Sequence, residues 1–476
     1  ATTWQPAKLY RLTRRNPGEG TTSIDTGVLD PLLGRSYFQI AMDSRSQHRS
    51  QDMGMPQPLG PRRSTVALVE SRVSFQGRDE IFTGVDTALV KLAEELPAPV
   101  RRGVTRHLQD YRDALAGARS SLRVADPWGA ASHLGRGLLS LRAALEEAQE
   151  VPAQGGGTGR GNDLIFTLRN RIPLVQAALL RSAGVVAEVT VDREHLIPGE
   201  TVGGVVELWN GGPHTLEDFR AQLAVPEGWQ VSGETERGKT VEPHSLVRWS
   251  FRLQVPVDEE ASVPYYLSHP RQGGLYRWPE EREAWAMPTD PPLVHGRVVG
   301  SLVGVEGVEF WAAGRYRGVD KATGAFVEPL QVVPALALSL DPSSIAWPST
   351  GGDSRVVQLT VRSYTGKELS GEAELVVPEG WTVDPSARPF SLSGPGGEIA
   401  MTFQVSPPAD LPVGNVSLQG RARTSQGDSY RQDVVLVDHP HIPGGALFPP
   451  AEAAVSLFPL AFPEGMRVGY VMGSGD

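Results

Sequence analysis

The chain has 476 residues, 40% of them hydrophobic and 21% charged, which is ordinary for folded globular protein and long enough for several separate cores. Its 45 basic and 55 acidic residues give a formal net charge of -10 without a long single-sign run, so it has no footprint for a nucleic-acid backbone. The absence of cysteine excludes disulfides, thiolate zinc sites and a cysteine nucleophile, and no stretch approaches the roughly 20 apolar residues of a membrane span.

The 53 glycines and 39 prolines are spread along the chain and favour short strands joined by turns. Residues 1–75 are mixed, with a strand expected at Lys8 to Leu12, turn residues from Asn16 to Gly20, and a helix over Ser36 to Gln51. On that helix Tyr37, Ile40, Ala41, Ser44, His48 and Gln51 share a face, so an apolar stripe runs on into polar side chains. Such a face either lines a pocket or is satisfied by internal hydrogen bonds.

Residues 76–184 read as a helical region. Apolar residues recur at helical spacing in Ile81, Val85, Leu89 and Leu92, in Val104, Leu108, Tyr111 and Leu115, and in Leu134, Leu138, Leu141 and Leu145. A fourth helix is expected from about Asp163 to Ser182. The glycine run Gln154 to Asn162 follows a helix, not a strand, and reads as a surface loop in preference to a phosphate cradle.

From Val185 onward helical spacing gives way to short β-branched stretches bounded by turn clusters, as in antiparallel sandwich strands. VPEGWQV (Val225 to Val231) recurs as VPEGWTV (Val377 to Val383), and the same offset carries Phe251 onto Phe403 and Pro256 onto Pro408. Two sandwich modules are therefore expected, over 185–334 and 335–438. Pro-Glu-Gly makes a tight turn, and Trp229 and Trp381 are expected to close the cores, with Val225, Val231, Val377 and Val383 alternating inward. Sugar stacking by these two indoles is the alternative. Residues 439–476 read as a proline-rich linker and the first strand of a further α/β domain, ending in Gly473-Ser474-Gly475, so the chain is expected to be cut at both ends.

No G-x-S-x-G elbow, H-E-x-x-H helix, Walker loop or EF-hand loop occurs. His439 and His441 form the one histidine pair considered for zinc, but Pro440 and Pro443 make the segment an extended linker.

WQPAKLY (Trp4 to Tyr10), Thr26 to Tyr37 and Arg45 to Gly54 resemble the carboxy-terminal part of the PIG-L, or LmbE-like, N-acetylglucosaminyl de-N-acetylase domain. The remainder is similar to long bacterial members of that family, in which helices, NEW3-type β-sandwiches associated with α-galactosidases and a further α/β domain follow. The resemblance implies zinc in the intact enzyme, held by an H-P-D-D motif and a later histidine segment, neither of which is in this chain. It carries over only Arg45, His48, Ser50 and Gln51, as pocket-edge positions.

The fold class expected is thus multidomain and mainly β: an α/β remnant, a helical spacer, two immunoglobulin-like sandwiches and a truncated α/β start. The function expected is that of a non-catalytic accessory portion, without a cofactor of its own. Its partners would be an N-acetylglucosamine-containing glycan and the catalytic portion of the same protein. An independent immunoglobulin-like carbohydrate-binding or scaffolding protein is the competing reading, and an extracytoplasmic location is compatible with both.

Overall fold

The computed structural model describes residues 6–13, 17–74, 76, 80–150, 160–233, 237–269, 272–278, 280, 287, 289–349, 354–409, 411–439, 442, 444–459 and 465–471. Strands take 43% of the chain and helices 22%, so the protein is mainly β. It divides into two compact units, residues 1–120 with 136–175, and residues 121–135 with 176–476.

The first unit opens with β1 (Lys8–Leu12), β2 (Thr22–Asp25), the two-residue strands β3 (Leu29–Asp30) and β4 (Arg35–Ser36), helix α1 (Tyr37–Ser46) and β5 (Arg63–Ser71). The antiparallel sheet runs β1-β5-β2. A capping box starts α1: Gln39 N donates to Ser36 Oγ at 3.3 Å, and Ser36 N donates to Gln39 Oε1 at 3.0 Å. The helix ends at Ser46, short of the expected Gln51. Ser46 Oγ donates back to the Met42 carbonyl at 2.8 Å, and Gln47 Nε2 donates to the Asp43 carbonyl at 3.4 Å. These side chains compete for the last carbonyls. A separate 3-10 turn, Arg49–Gln51, follows. The expected continuous face is therefore broken, and Tyr37 and Ala41 on it are exposed.

The expected first spacer helix is a 3-10 segment, Leu89–Glu95. Gly84 at φ 80° and an Asp86 side chain accepting from Ala88 N at 2.9 Å turn the chain just before it. The other three helices are α2 (Ala98–Ser121), α3 (Ala131–Gln149) and α4 (Arg160–Ser182), with residues 154–159 of the glycine run outside the described part. Val104, Leu108 and Tyr111 of α2 are buried, as are Leu138 and Leu141 of α3 and Leu164 and Leu168 of α4. Burying each such leucine contributes about 1.5–3 kcal/mol. A Cβ on Gly137 would lie 3.4 Å from the Tyr111 ring, so α2 and α3 approach closely there.

The second unit contains both copies of the repeat. The first is built from β6 (Val185–Val191), β7 (His195–Leu196), β8 (Thr201–Asn210), β9 (Leu216–Ala224), β10 (Gln230–Gly233), β11 (Lys239–Val241) and β12 (Ser245–Gln254). It is completed by β13 (His295–Leu302), β14 (Val305–Asp320), β15 (Gly324–Pro329) and β16 (Gln331–Val332). Strand β14 joins two layers. Its first part pairs with β13, and from Gly314 it pairs with β6 in parallel and with β15. Across the layers, a Cβ on Gly296 of β13 would fall 2.4 Å from Val189 of β6, so only glycine permits this approach.

The second copy comprises β17 (Leu336–Asp341), β18 (Ser344–Pro348), β19 (Arg355–Ser363), β20 (Glu368–Val376), β21 (Thr382–Asp384), β22 (Arg388–Ser393), β23 (Glu398–Ser406) and β24 (Gly414–Thr424). After these come β25 (Ser429–Tyr430), β26 (Val435–Val437), β27 (Gly445–Leu447) and β28 (Glu452–Phe458). One layer runs β10-β12-β8-β6 in the first copy and β21-β23-β19-β17 in the second; the other runs β14-β13-β9-β11 and β28-β24-β20-β22. These four-strand runs follow the same order in both, and in the second copy β18 adds a parallel edge strand beside β28.

In the second copy one core, including Leu338, Leu359, Phe403, Trp347, Leu418 and Val455, is drawn from both sheets. Strand β28 belongs to that core, so the second copy continues past the boundary expected at residue 438. Its alternation explains this: Ala453, Val455 and Leu457 are buried while Glu452, Ala454 and Ser456 face out. The strand expected in Met466 to Val471 does not form among the described residues, and Gly473 to Gly475 lie outside them. Among the described residues that segment has no neighbouring strand, and so no ladder to join.

The repeated turn takes one form in both copies. Trp229 N donates to the Pro226 carbonyl at 3.3 Å and Trp381 N to the Pro378 carbonyl at 3.2 Å. Gly228 and Gly380 carry the positive φ, 85° and 82°, that the third position of a type II turn requires. Both indoles are then buried, at 7% and 8% exposure. Of the flanking valines, Val377 and Val383 pack against the core, whereas Val231, expected to point inward, is 37% exposed. Trp229→Ala or Trp381→Ala is expected to cost about 3–5 kcal/mol. Urea unfolding of each variant checks this, and a loss under about 1 kcal/mol contradicts the core role.

Candidate functional site

The residues singled out near the amino terminus do not converge. Arg45 lies in the last turn of α1, half-buried, with its Nε shielded from solvent and without a hydrogen-bond partner. His48, Ser50 and Gln51 sit beyond the end of that helix and are exposed. His439 is exposed on the chain leading from β26, and His441 lies outside the described residues. Among the described residues no three His, Asp or Glu side chains stand together as a metal-ligand set. The described residues thus do not fit the zinc that the resemblance implied for the intact enzyme. Trp229 and Trp381 are also displaced from the stacking role. Their rings are inside the cores, where Trp229 Nε1 donates to Glu259 Oε2 at 2.8 Å and Trp381 packs edge-on to Trp347 at 5.0 Å.

Two constellations that sequence reasoning missed do form. The first joins the copies. Ile197 and Val333 from the first copy pack with Ala337, Val434 and Ala446 from the second, with Tyr364 and Phe448 alongside. Above this small core the buried Glu200 carboxylate accepts from Arg193 Nη1 at 2.8 Å and from the Thr365 hydroxyl of the second copy, with Lys367 Nζ at 3.8 Å. A charge-assisted bond of this kind contributes about 1.5–3 kcal/mol. His195 meets Tyr364 edge to face at 5.4 Å. Burial pushes the His195 imidazole below its ordinary range. Burial first, then the carboxylates of Glu328 and Asp438, pushes its neighbour Glu194 up.

The second constellation is aromatic. Between β12 and β13 the first copy carries residues 255–294, where the second copy has only 407–413 between β23 and β24. Within this insert a 3-10 turn, Tyr265–Leu267, and a tight bridge between Gln272 and Leu275 bring four rings into a row. Trp278 lies 5.6 Å from Tyr265, Tyr265 lies 5.4 Å from Tyr266, and Tyr266 lies 6.3 Å from Tyr276.

Tyr265 is the anchor of the row. Its backbone N donates to Asp290 Oδ1 at 3.1 Å and its hydroxyl to the Met287 carbonyl at 2.9 Å. The insert is tied to the sheets where Ser262 N donates to the Val332 carbonyl and Val332 N donates to Ser262 Oγ, each at 2.9 Å. The outer rings remain open: Tyr266, Tyr276 and Trp278 are 39%, 46% and 42% exposed. The signal was present in the sequence as PYYL followed by LYRW, inserted where the repeat otherwise keeps register.

The class of protein that these features define is a tandem β-module protein with an elaborated loop on one module. The NPCBM-associated, NEW3 domain of alpha-galactosidase matches residues 196–267. The match falls on the first copy, from β7 through the start of the aromatic insert, whereas the NEW3 likeness was expected in the second as well. No curated protein matches the chain.

The depressed His195 gives the second unit a pH-dependent stability. The unfolded chain takes up a proton near about pH 6.5 while the folded state resists it, so this contribution is present above that pH and lost below it. Glu194, shifted the other way, acts in the opposite sense but is common to wild type and variant. Wild type should therefore lose more thermal stability than His195→Phe between about pH 7 and pH 5. Parallel melting curves would contradict the assignment.

Proposed function

We propose that this chain is the non-catalytic accessory portion of a PIG-L-type zinc-dependent N-acetylglucosaminyl deacetylase, whose two immunoglobulin-like modules bind or position the glycan substrate. The observation that carries the reading is the NEW3 match at 196–267, a module associated by its description with alpha-galactosidase, an enzyme of sugars. The second copy, with the same order in its four-strand runs and its VPEGW turn, extends this character along the unit. The deacetylase assignment rests on the resemblance of the first 75 residues. An accessory role also accords with His48, Ser50 and Gln51 standing open on the surface, where a separate catalytic portion has access to them.

The purified chain is expected to hold no stoichiometric zinc after dialysis and to release no acetate from N-acetylglucosamine derivatives when zinc is added. Metal analysis and an acetate assay measure this. One tightly held zinc with turnover lost on His48→Ala overturns the accessory reading.

A further inference from the structure

We infer that the aromatic row of the first copy's insert, Tyr266, Tyr276 and Trp278 around the anchored Tyr265, whose neighbouring rings stand edge to face or tilted, is a platform on which these partly exposed rings stack the pyranose rings of a neutral glycan chain. This deepens the proposed carbohydrate reading and rests on it.

Tyr265 is partly buried, whereas the three outer rings of the row each leave more than a third of their area to water, an exposed aromatic group rather than a single exposed ring. They are tyrosine and tryptophan, which offer an apolar face and a polar edge together. A pyranose presents the complementary pattern, with C–H groups on its faces and hydroxyls around its rim.

The row is fixed by ring contacts at 5.4–6.3 Å, by the hydrogen bonds of Tyr265 to Asp290 and Met287, and by the pair of hydrogen bonds between Ser262 and Val332. A platform held in place before binding loses little freedom when the ligand arrives.

Nucleobases also stack on such rings. They come with phosphates, and a chain of net charge -10 repels them. Ser268, His269, Gln272 and Arg277 stand beside these rings in the sequence, and the Asp290 carboxylate reaches Tyr265 N at 3.1 Å, so polar groups suited to hydroxyls accompany the rings. The NEW3 match also reaches Tyr265, Tyr266 and Leu267, so the row begins inside the matched module. The second copy lacks the insert, which makes the platform a property of the first copy alone.

The test is titration of the full chain with neutral oligosaccharides: β-1,4-linked N-acetylglucosamine oligomers, galactose oligomers and glucose oligomers, followed by calorimetry and tryptophan fluorescence. Saturable binding to at least one series is expected, longer oligomers binding more tightly. Trp278→Ala and Tyr276→Ala should each weaken it tenfold or more, and Trp278→Phe and Tyr276→Phe should restore most of it. Melting temperatures should stay at the wild-type value, since these rings lie outside the cores. If the chain binds a glycan and the alanine variants bind it equally well, the platform is overturned while the carbohydrate reading stands. If no series binds, both fall.

Discussion

A glycine at positive φ, followed by an indole that the turn delivers into a sheet core, is the constraint on which each copy of the repeat depends. Any residue with a Cβ at Gly228 or Gly380 would be held in the left-handed region at a cost of about 1–2 kcal/mol. The indole behind it then fills the space between the layers. Because the turn fixes where the tryptophan enters, it also fixes the register of the strand after it. β10 pairs with β12 and β21 with β23, and Phe251 and Phe403 are buried alike. β8 then pairs with β12 and β19 with β23, extending this pair in the same way in both copies.

The copies nevertheless solve the same problem with different chemistry. In the first, the indole N–H is satisfied by Glu259, which belongs to the insert; in the second, the ring meets Trp347. The fourth strand of one layer is the long β14 in the first copy, whereas in the second it is supplied by β28 from near the end of the described chain. The two copies are then locked by a small apolar cluster and by Glu200, whose carboxylate reaches a hydroxyl on the other copy. A buried carboxylate with partners on both sides gives the junction direction as well as adhesion, since it is satisfied in one arrangement only.

Local patterns with a fixed period were legible in the sequence. The repeat offset gave the matching turns, the heptad-like spacing of Leu134, Leu138 and Leu141 gave α3, and the loss of that spacing after Val185 gave the change to strands. Features decided by distant partners were not. The spacing of Ile81, Val85 and Leu89 is helical, but Gly84 and Asp86 break the local backbone first. Met466 to Val471 has strand composition but no neighbouring strand among the described residues, while Glu452 to Phe458 finds two, β18 and β24. The tryptophans most visible in the motif were core residues for the same reason that made them visible: repetition marks what both copies need, and both need a core.

What one copy has and the other lacks is therefore the better guide to function. The insert at 255–294 interrupts the repeat, carries its own hydrogen bonds and sets out rings that no core requires. Hydrogen exchange on the full chain, with and without a saturating neutral oligosaccharide, tests this view most directly. Protection confined to amides of 265–278, with the short loop 407–413 of the second copy unchanged, is the predicted result. Protection of the second copy alone, or no change within the insert while sugar is bound, would contradict it.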